Sequence, residues 1–560
     1  MSHQSHTLHE PSGQMKSAHP QLTELILRLQ QTLEDYITHQ ETRHLQQDLE
    51  LEKQNHSQAT RGQETTLVHL MCQVVSLFQS GATNSLELQL DSGGDVGGGQ
   101  QAQTSRQPDQ LHHQLSDVKA SFISNDLSDR GTDTSALYQS SFQDFTTYHG
   151  DKYDEDRNPS GFINLAISES NLCIDLITER LSRGDMTSTD EALLQYADWR
   201  GHAFLREEVA RFLTYYCKAP VPLDPENVVV LNGCGVMFSS LTMVLCDPGE
   251  AFLTPTPFYA GFTCASRLYS KVELIHVHLD SEVTEANPHP FQLTVRTLEE
   301  ALLEARTEGK KVKGLVLINP HNPLGDVYSL DSLREYLEFA KRYNLHVIID
   351  EIYMGTVFDE SIPFHSVLSM ESLPDPNRTH VIWGTSKGFG ISGFRLGALY
   401  TRNKEVASAV STFGFLHGIS GIAQHKLCRL LQDREWIDNV YLPTNRSRLQ
   451  AAHRYITDKL KALKIPFLNR GSGLFVWINL KEYLDPCTFE EELLLYRRFL
   501  DNKLLLSPGK SYMCKEPGWF RLTFSDKFLH LKVAMLRLAQ ALSEQKQCLA
   551  EKQMKDTLKE

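Results

Sequence analysis

The chain has 560 residues, a formal net charge of −15 and 41% hydrophobic residues, with 55 Lys and Arg against 70 Asp and Glu. That length allows two or three domains around a large core, and the acidic balance argues against nucleic acid as the main partner, since phosphate backbones call for basic surface. Ten cysteines with no Cys-x-x-Cys pair and no Cys/His cluster at metal-ligand spacing leave metal ligands unassigned and fit reduced thiols in a cytoplasmic setting.

The N-terminus has no basic cluster followed by an apolar run, and no apolar stretch approaches the roughly 20 residues needed to span a bilayer, so a soluble chain with no membrane partner is expected. Residues 1–150 are rich in Gln, His and Ser, and Asp91-Ser-Gly-Gly-Asp-Val-Gly-Gly-Gly99 opens a polar tract ending near Gln110. Such a composition buries too little apolar surface to offset chain entropy, so this extension is expected to be mostly disordered. Two islands carry helical pattern, Leu22, Leu25, Leu29, Leu33 and Tyr36 at three- and four-residue steps and the apolar run 67–78. They read as frayed helices or as a coiled segment that binds a protein partner or self-associates.

From about residue 155 strand and helix signals alternate. The β-branched runs 227–231, 251–254, 314–318, 346–349 and 380–383 are separated by longer helical patterns such as 330–343. Buried strands spaced by helices predict an α/β fold with a largely parallel sheet, whose carboxyl edge is where ligands gather.

Chemistry-bearing residues fall at those strand ends. Asp350 ends the fourth run, Asn322 lies in Asn319-Pro-His-Asn322-Pro-Leu-Gly325 after the third, and Lys387 follows the fifth in Gly384-Thr-Ser-Lys387. Arg395 stands eight residues later in Gly393-Phe-Arg395-Leu-Gly397. Singly, such residues are commonly helix caps or turns; their joint order points to a site.

In that order they resemble the class I and II aminotransferase family, and within it the 1-aminocyclopropane-1-carboxylate (ACC) synthases and their animal synthase-like relatives. The likeness runs from about Ile163 to Phe524 and includes Asp247-Pro-Gly-Glu250, Pro255-Thr-Pro-Phe-Tyr-Ala-Gly-Phe262, Leu506-Ser-Pro-Gly509 and Glu516-Pro-Gly-Trp-Phe-Arg521. The resemblance implies a fold-type-I pyridoxal 5'-phosphate (PLP) protein, homodimeric, acting on an amino acid. Its expected organisation is an extension at 1–150, a small-domain segment at 155–195, a large PLP-binding domain at 196–424, a small C-terminal α+β domain at 425–545 and a charged tail at 546–560.

By the resemblance, Lys387 holds the cofactor as a Schiff base and shuttles the α-proton. Asp350 keeps the pyridine nitrogen protonated, so that the ring withdraws electrons. Tyr353 and Asn322 donate to the ring's phenolic oxygen, and Tyr259 stacks on its face. Arg395, Ser386 and the backbone of Gly233 and Cys234 at a helix start bind the phosphate. Arg521 holds the substrate carboxylate bidentately. Glu169, in Ala166-Ile-Ser-Glu169, matches the glutamate tied to S-adenosylmethionine recognition, or is a surface loop acid.

Three positions depart from the plant synthases. Gly384 stands for a serine, Cys234 for a threonine, and Trp199 for the tyrosine that reaches in from the neighbouring subunit. The acid that usually follows the lysine is Gly388. Each of the first three changes removes a hydroxyl donor, so a weakened phosphate grip is expected, and Gly384→Ser is expected to regain a bond of about 1.4 kcal/mol, or tenfold in affinity. Function therefore reads as PLP-dependent transaminase-type chemistry. The alternatives are an impaired synthase-like pseudoenzyme serving as an interaction scaffold and, less favoured, a genuine ACC synthase.

Overall fold

The computed structural model describes residues 126–283 and 289–557. The two helical islands and the Gly-rich tract of the extension lie outside the described residues. The first element is helix α1 (Asp129–Gly150), begun by Ser128, whose hydroxyl accepts from the Gly131 N–H. The last part of the extension is thus helical rather than disordered. It contains no proline, and it carries Asp129 in its first turn and His149 in its last, where each complements the helix dipole.

A short strand β1 (Ile163–Asn164) and helix α2 (Ala203–Tyr216) lead into the main sheet. Its strands are β2 (Val228–Asn232), β3 (Ala251–Thr256), β4 (Glu273–His278), β5 (Val312–Ile318), β6 (His346–Asp350), β7 (Thr379–Gly384) and β8 (Leu396–Thr401). Their spatial order is β2-β8-β7-β6-β5-β3-β4. Only β8 runs antiparallel to its neighbours; the β3–β4, β3–β5, β5–β6 and β6–β7 pairs are parallel. The five runs expected as strands are β2, β3, β5, β6 and β7. They were legible because successive residues pack to opposite faces: Leu315 and Leu317 into one core, Val316 and Ile318 into the other.

Helix α3 (Cys234–Leu245) follows β2 directly, and α4 (Leu330–Arg342) connects β5 to β6, capped by Ser329. Beyond the sheet, α5 (Leu442–Ala462) leads to strands β9 (Phe467–Leu468) and β10 (Phe475–Asn479). Helix α6 (Phe489–Asp501) precedes β11 (Leu504–Leu505), β12 (Ser507–Pro508) and β13 (Trp519–Thr523). Four of these strands form an antiparallel sheet in the order β12-β13-β10-β9. β11 pairs in parallel with β1, Ile163 against Leu504, so residues 341 positions apart close one structure. The last helix, α7 (Phe528–Thr557), runs without interruption across position 545, where a separate charged tail was expected to begin.

Register sets the site. Asp350 is level with Ile318 of β5 and Ile382 of β7, and Gly384 pairs with Gly397 across the antiparallel β7–β8 ladder. Because β8 runs backwards, its start lies where its neighbours end. Arg395 therefore joins Asp350, Asn322 and Lys387 at one sheet edge.

Candidate active site

Asp350 is buried at the end of β6, where its Oδ1 accepts from the Ile352 N–H at 3.1 Å. Burial pushes its carboxyl up to about 7, against the pull of that N–H and of the Lys387 charge. No arginine pairs with it among the described residues. Glu351, next in sequence, faces away: its carboxyl accepts from Ser366 Oγ at 2.6 Å and Val367 N at 3.0 Å. One strand end thus carries a carboxyl spent on a loop and a carboxyl left for a cation.

Lys387 sits in the single helical turn Thr385–Gly388. Its ζ-amine donates to the Ser168 carbonyl. Burial lowers its pKa to about 8, helped by the positive Arg521 and opposed by Glu169, Cys234 and Asp350. An amine so shifted is partly neutral near pH 8, the form in which it is a nucleophile.

A hydrogen-bonded chain crosses in front of it. The Tyr353 hydroxyl lies 2.8 Å from Ser168 Oγ and accepts from Asn322 Nδ2 at 3.1 Å. Asn322 Oδ1 accepts from Arg521 Nη1 at 2.8 Å, and Arg521 Nη2 donates to the Ala166 carbonyl. The guanidinium is held between the rings of Phe475 and Tyr512, at 5.0 and 5.1 Å, and its buried Nε has no partner among the described residues. A buried donor without an acceptor costs roughly 1–3 kcal/mol, so the arrangement suits an incoming acceptor such as a carboxylate.

Arg395 has left-handed backbone (φ 60°), and its Nη1 donates to the Ser392 carbonyl at 3.1 Å. Its guanidinium lies over Gly233, the residue before α3, where φ is +96° and a Cβ would come within 2.5 Å of Nη2. Only glycine satisfies both constraints. The start of α3 and an arginine with no carboxylate partner among the described residues thus make an anion cradle. Ser386 is buried one residue before the lysine.

The expected effect of a hydroxyl at 384 needs correction. A Cβ on Gly384 would lie 2.5 Å from the Leu396 carbonyl oxygen and 2.7 Å from Cys234 Sγ, which donates to the Trp383 carbonyl at 3.4 Å. The room for a side chain is taken by a backbone oxygen and by sulfur. Burial raises the Cys234 thiol pKa well above its usual value, so the sulfur stays a neutral thiol.

The remaining candidates are more peripheral. Tyr259 is 41% exposed and meets Phe262 edge-on at 5.4 Å. Glu169 is exposed and accepts from Ser392 Oγ, which ties it to the turn that carries Arg395. Trp199 leans on Phe415 with ring centroids 5.4 Å apart, and among the described residues no hydrogen bond or ring contact joins it to the cluster. Sequence reasoning missed Ser168, which touches both Lys387 and Tyr353; its one signal is adjacency to Glu169. It also missed Glu492, buried on α6, whose carboxylate accepts from Lys510 N at 3.1 Å and Gly518 N at 2.6 Å and so ties both ends of the loop before Arg521.

The geometry agrees with what comparison with known proteins finds. A family model described as aminotransferase class I and II matches residues 161–529. The chain is 65% identical to a human protein named probable inactive 1-aminocyclopropane-1-carboxylate synthase-like protein 2, across the full length of both. It is 34% identical to 1-aminocyclopropane-1-carboxylate synthase 2 of Solanum lycopersicum, covering 69% of this chain and 80% of that one. Among solved structures, aspartate aminotransferase from Thermus thermophilus with maleate aligns with a TM-score of 0.57 at 19% identity, over 74% of this chain and 99% of that one. A Pyrococcus protein titled protein-A1 aligns at 0.58 and 22% identity, over 72% and 95%. These two likenesses speak to the fold.

Proposed function

Since the chain belongs to the class I and II aminotransferase family, we propose that it binds PLP at Lys387 and uses it for transaminase-type chemistry on an amino acid. The observation that carries this is the pairing at adjacent strand ends of a depressed amine, Lys387, with a buried carboxyl, Asp350, that has no arginine partner among the described residues. PLP, when bound, supplies an electron-withdrawing ring that stabilises negative charge at a substrate α-carbon.

The residues divide the work as follows. Lys387 Nζ would hold the cofactor, and its amine would be the group that moves a proton at the substrate α-carbon. Asp350 supplies the negative charge that favours a protonated ring nitrogen; a cation beside it lowers its own pKa in return. Arg395 with the N–H groups of Gly233 and Cys234, and Ser386 beside the lysine, receive the phosphate. Tyr353 and Asn322 present donors to the ring oxygen, and Tyr259 covers a ring face. Arg521, braced by Phe475 and Tyr512, takes the substrate carboxylate, and Glu169 lies on the turn beside it. The protein acts as a cytoplasmic homodimer in this reading. The exposed apolar residues Leu194, Tyr196 and Trp199, the last in ring contact with exposed Phe415 beside Leu416, support a second copy as their cover.

A second reading, an impaired relative whose fold serves as a scaffold, is favoured by the sulfur at Cys234 and the missing side chain at Gly384, which leave the phosphate cradle short of hydroxyl donors. Its N-terminal extension would then be the part that meets a protein partner. ACC synthesis itself requires α,γ-elimination, which nothing in the cluster favours over simple α-proton transfer. Absorbance separates the readings: titration of the cofactor-free protein with PLP gives a visible band that borohydride abolishes if the proposal holds. A protein that remains without such a band at millimolar PLP supports the scaffold.

A further inference from the structure

Ser168 enters the candidate site on the segment that follows β1, and that segment is pinned without help from its side chain. Asn164 Oδ1 accepts from the N–H groups of Ala166 and Ile167 at 2.9 and 3.0 Å. The Glu169 carbonyl accepts from Ser525 Oγ at 2.6 Å, and the Asn171 N–H donates to the Ser525 carbonyl at 2.8 Å. The buried Ser168 hydroxyl is left for another task. It lies 2.8 Å from the Tyr353 hydroxyl, while the carbonyl of the same residue accepts from Lys387 Nζ.

Tyr353 is fixed just as independently. Its carbonyl accepts from Thr356 N and Oγ1 at 2.9 and 2.6 Å, and its ring meets Phe475 edge-on at 5.5 Å. What can still turn is the phenolic proton, and the chain of bonds in front of it sets its direction. A guanidinium only donates. Arg521 Nη1 therefore fixes Asn322 Oδ1 as an acceptor, which leaves Asn322 Nδ2 to donate to Tyr353 Oη at 3.1 Å. With that oxygen already accepting, the Tyr353 proton runs to Ser168 Oγ. Burial holds the phenol neutral, its pKa well above the ordinary 10.0, so there is a proton to direct.

Once PLP is bound, Tyr353 is needed as a donor to the ring oxygen. A hydroxyl both accepts and donates, so Ser168 is able to exchange roles with its neighbour. We infer that Ser168 is a positioning residue acting through Tyr353: its hydroxyl accepts the Tyr353 proton in the cofactor-free protein and donates to Tyr353 Oη when that proton turns to the ring oxygen. This inference rests on the PLP reading given above. A bond received by Tyr353 Oη makes the phenol a stronger donor in turn. Ser168 thereby favours negative charge on the ring oxygen, and the loaded site gives up its proton at a lower pH than it would without the serine.

The test compares wild type, Ser168→Ala, Tyr353→Phe and the double variant, each in the full chain. With PLP bound, the pH midpoint of the visible band is read for each. Ser168→Ala should raise the midpoint by about 0.3–1 pH unit, the scale of one neutral hydrogen bond. Tyr353→Phe should raise it further, and adding Ser168→Ala to Tyr353→Phe should move it no more. Without PLP, melting temperature reads the same link: each single change should lower it, and the double change by less than their sum. Because the Ser168 carbonyl is untouched, borohydride should still trap PLP on Lys387 in Ser168→Ala. A midpoint that stays or falls in Ser168→Ala, or that rises equally in the Tyr353→Phe background, overturns the inference and leaves the cofactor reading standing. So does a Ser168→Ala chain that fails to fold, since the serine is then structural. A wild type that gives no visible band removes the cofactor reading, and this inference with it.

Discussion

A serine at 384 matches the family's phosphate donor, yet the structure predicts that Gly384→Ser damages the protein. The backbone at Gly384 is extended (φ −169°, ψ 169°), open to any residue, so the obstacle is purely steric. The new Cβ meets the Leu396 carbonyl at 2.5 Å and Cys234 Sγ at 2.7 Å, both closer than side-chain carbons sit in folded proteins. The sulfur can rotate away; the carbonyl cannot, because β8 is fixed by ladders to β7 and β2 on both sides. Overpacking of this kind costs about 1–3 kcal/mol, which for a fold of this size lowers the melting temperature by roughly 1–3 °C. The assay is thermal unfolding of the cofactor-free variant beside PLP titration. Gly384→Ser should melt lower and bind PLP no tighter than wild type, and adding Cys234→Ala should recover only part of the loss. A variant that melts no lower than wild type and gains tenfold in PLP affinity would refute the steric argument.

Other outcomes follow from single groups. Asp350 is raised to about 7 in the fold from an ordinary 3.8, so the folded state holds its proton more tightly and stability falls as pH rises from about 4 to 7; Asp350→Asn should therefore melt higher than wild type at pH 7.5 without PLP, yet fail to give the PLP absorbance band. Glu492→Leu strands the Lys510 and Gly518 N–H groups in the interior and should lower the melting temperature by several degrees, whereas Glu492→Gln, which keeps one acceptor, should lose less. Peptide mapping after brief iodoacetamide treatment at pH 8 should find exposed Cys548 alkylated well before Cys234, whose thiol is held neutral by burial.

What the sequence disclosed was governed by burial. Strands β5, β6 and β7 are covered on both faces and read as unbroken apolar runs; β4, an edge strand in which only Val277 is fully buried, and β8, with Gly397 inside it, gave no such signal. Helix α1 has little apolar periodicity and was missed in the sequence, which put it in a mostly disordered extension. Within the candidate site, Asp350, Asn322, Lys387 and Arg395 could be assembled because all four stand at the ends of adjoining strands. Ser168 and the Ala166 carbonyl could not: they reach Lys387 and Arg521 through the β1–β11 pairing and the backbone bonds of Leu165 and Asn171 to Thr523 and Ser525, contacts with no local trace. The room at Gly384 was equally invisible, since it depends on a carbonyl across a strand pair and a sulfur from another helix.

The central claim is that Lys387 is the residue that attaches PLP. Incubation of the full chain with PLP, reduction with borohydride and peptide mapping by mass spectrometry test it directly. The account predicts one stoichiometric adduct on Lys387, lost in Lys387→Ala with the melting temperature preserved. An adduct on another lysine with Lys387 unmodified, or no adduct above that of a denatured control, would contradict it.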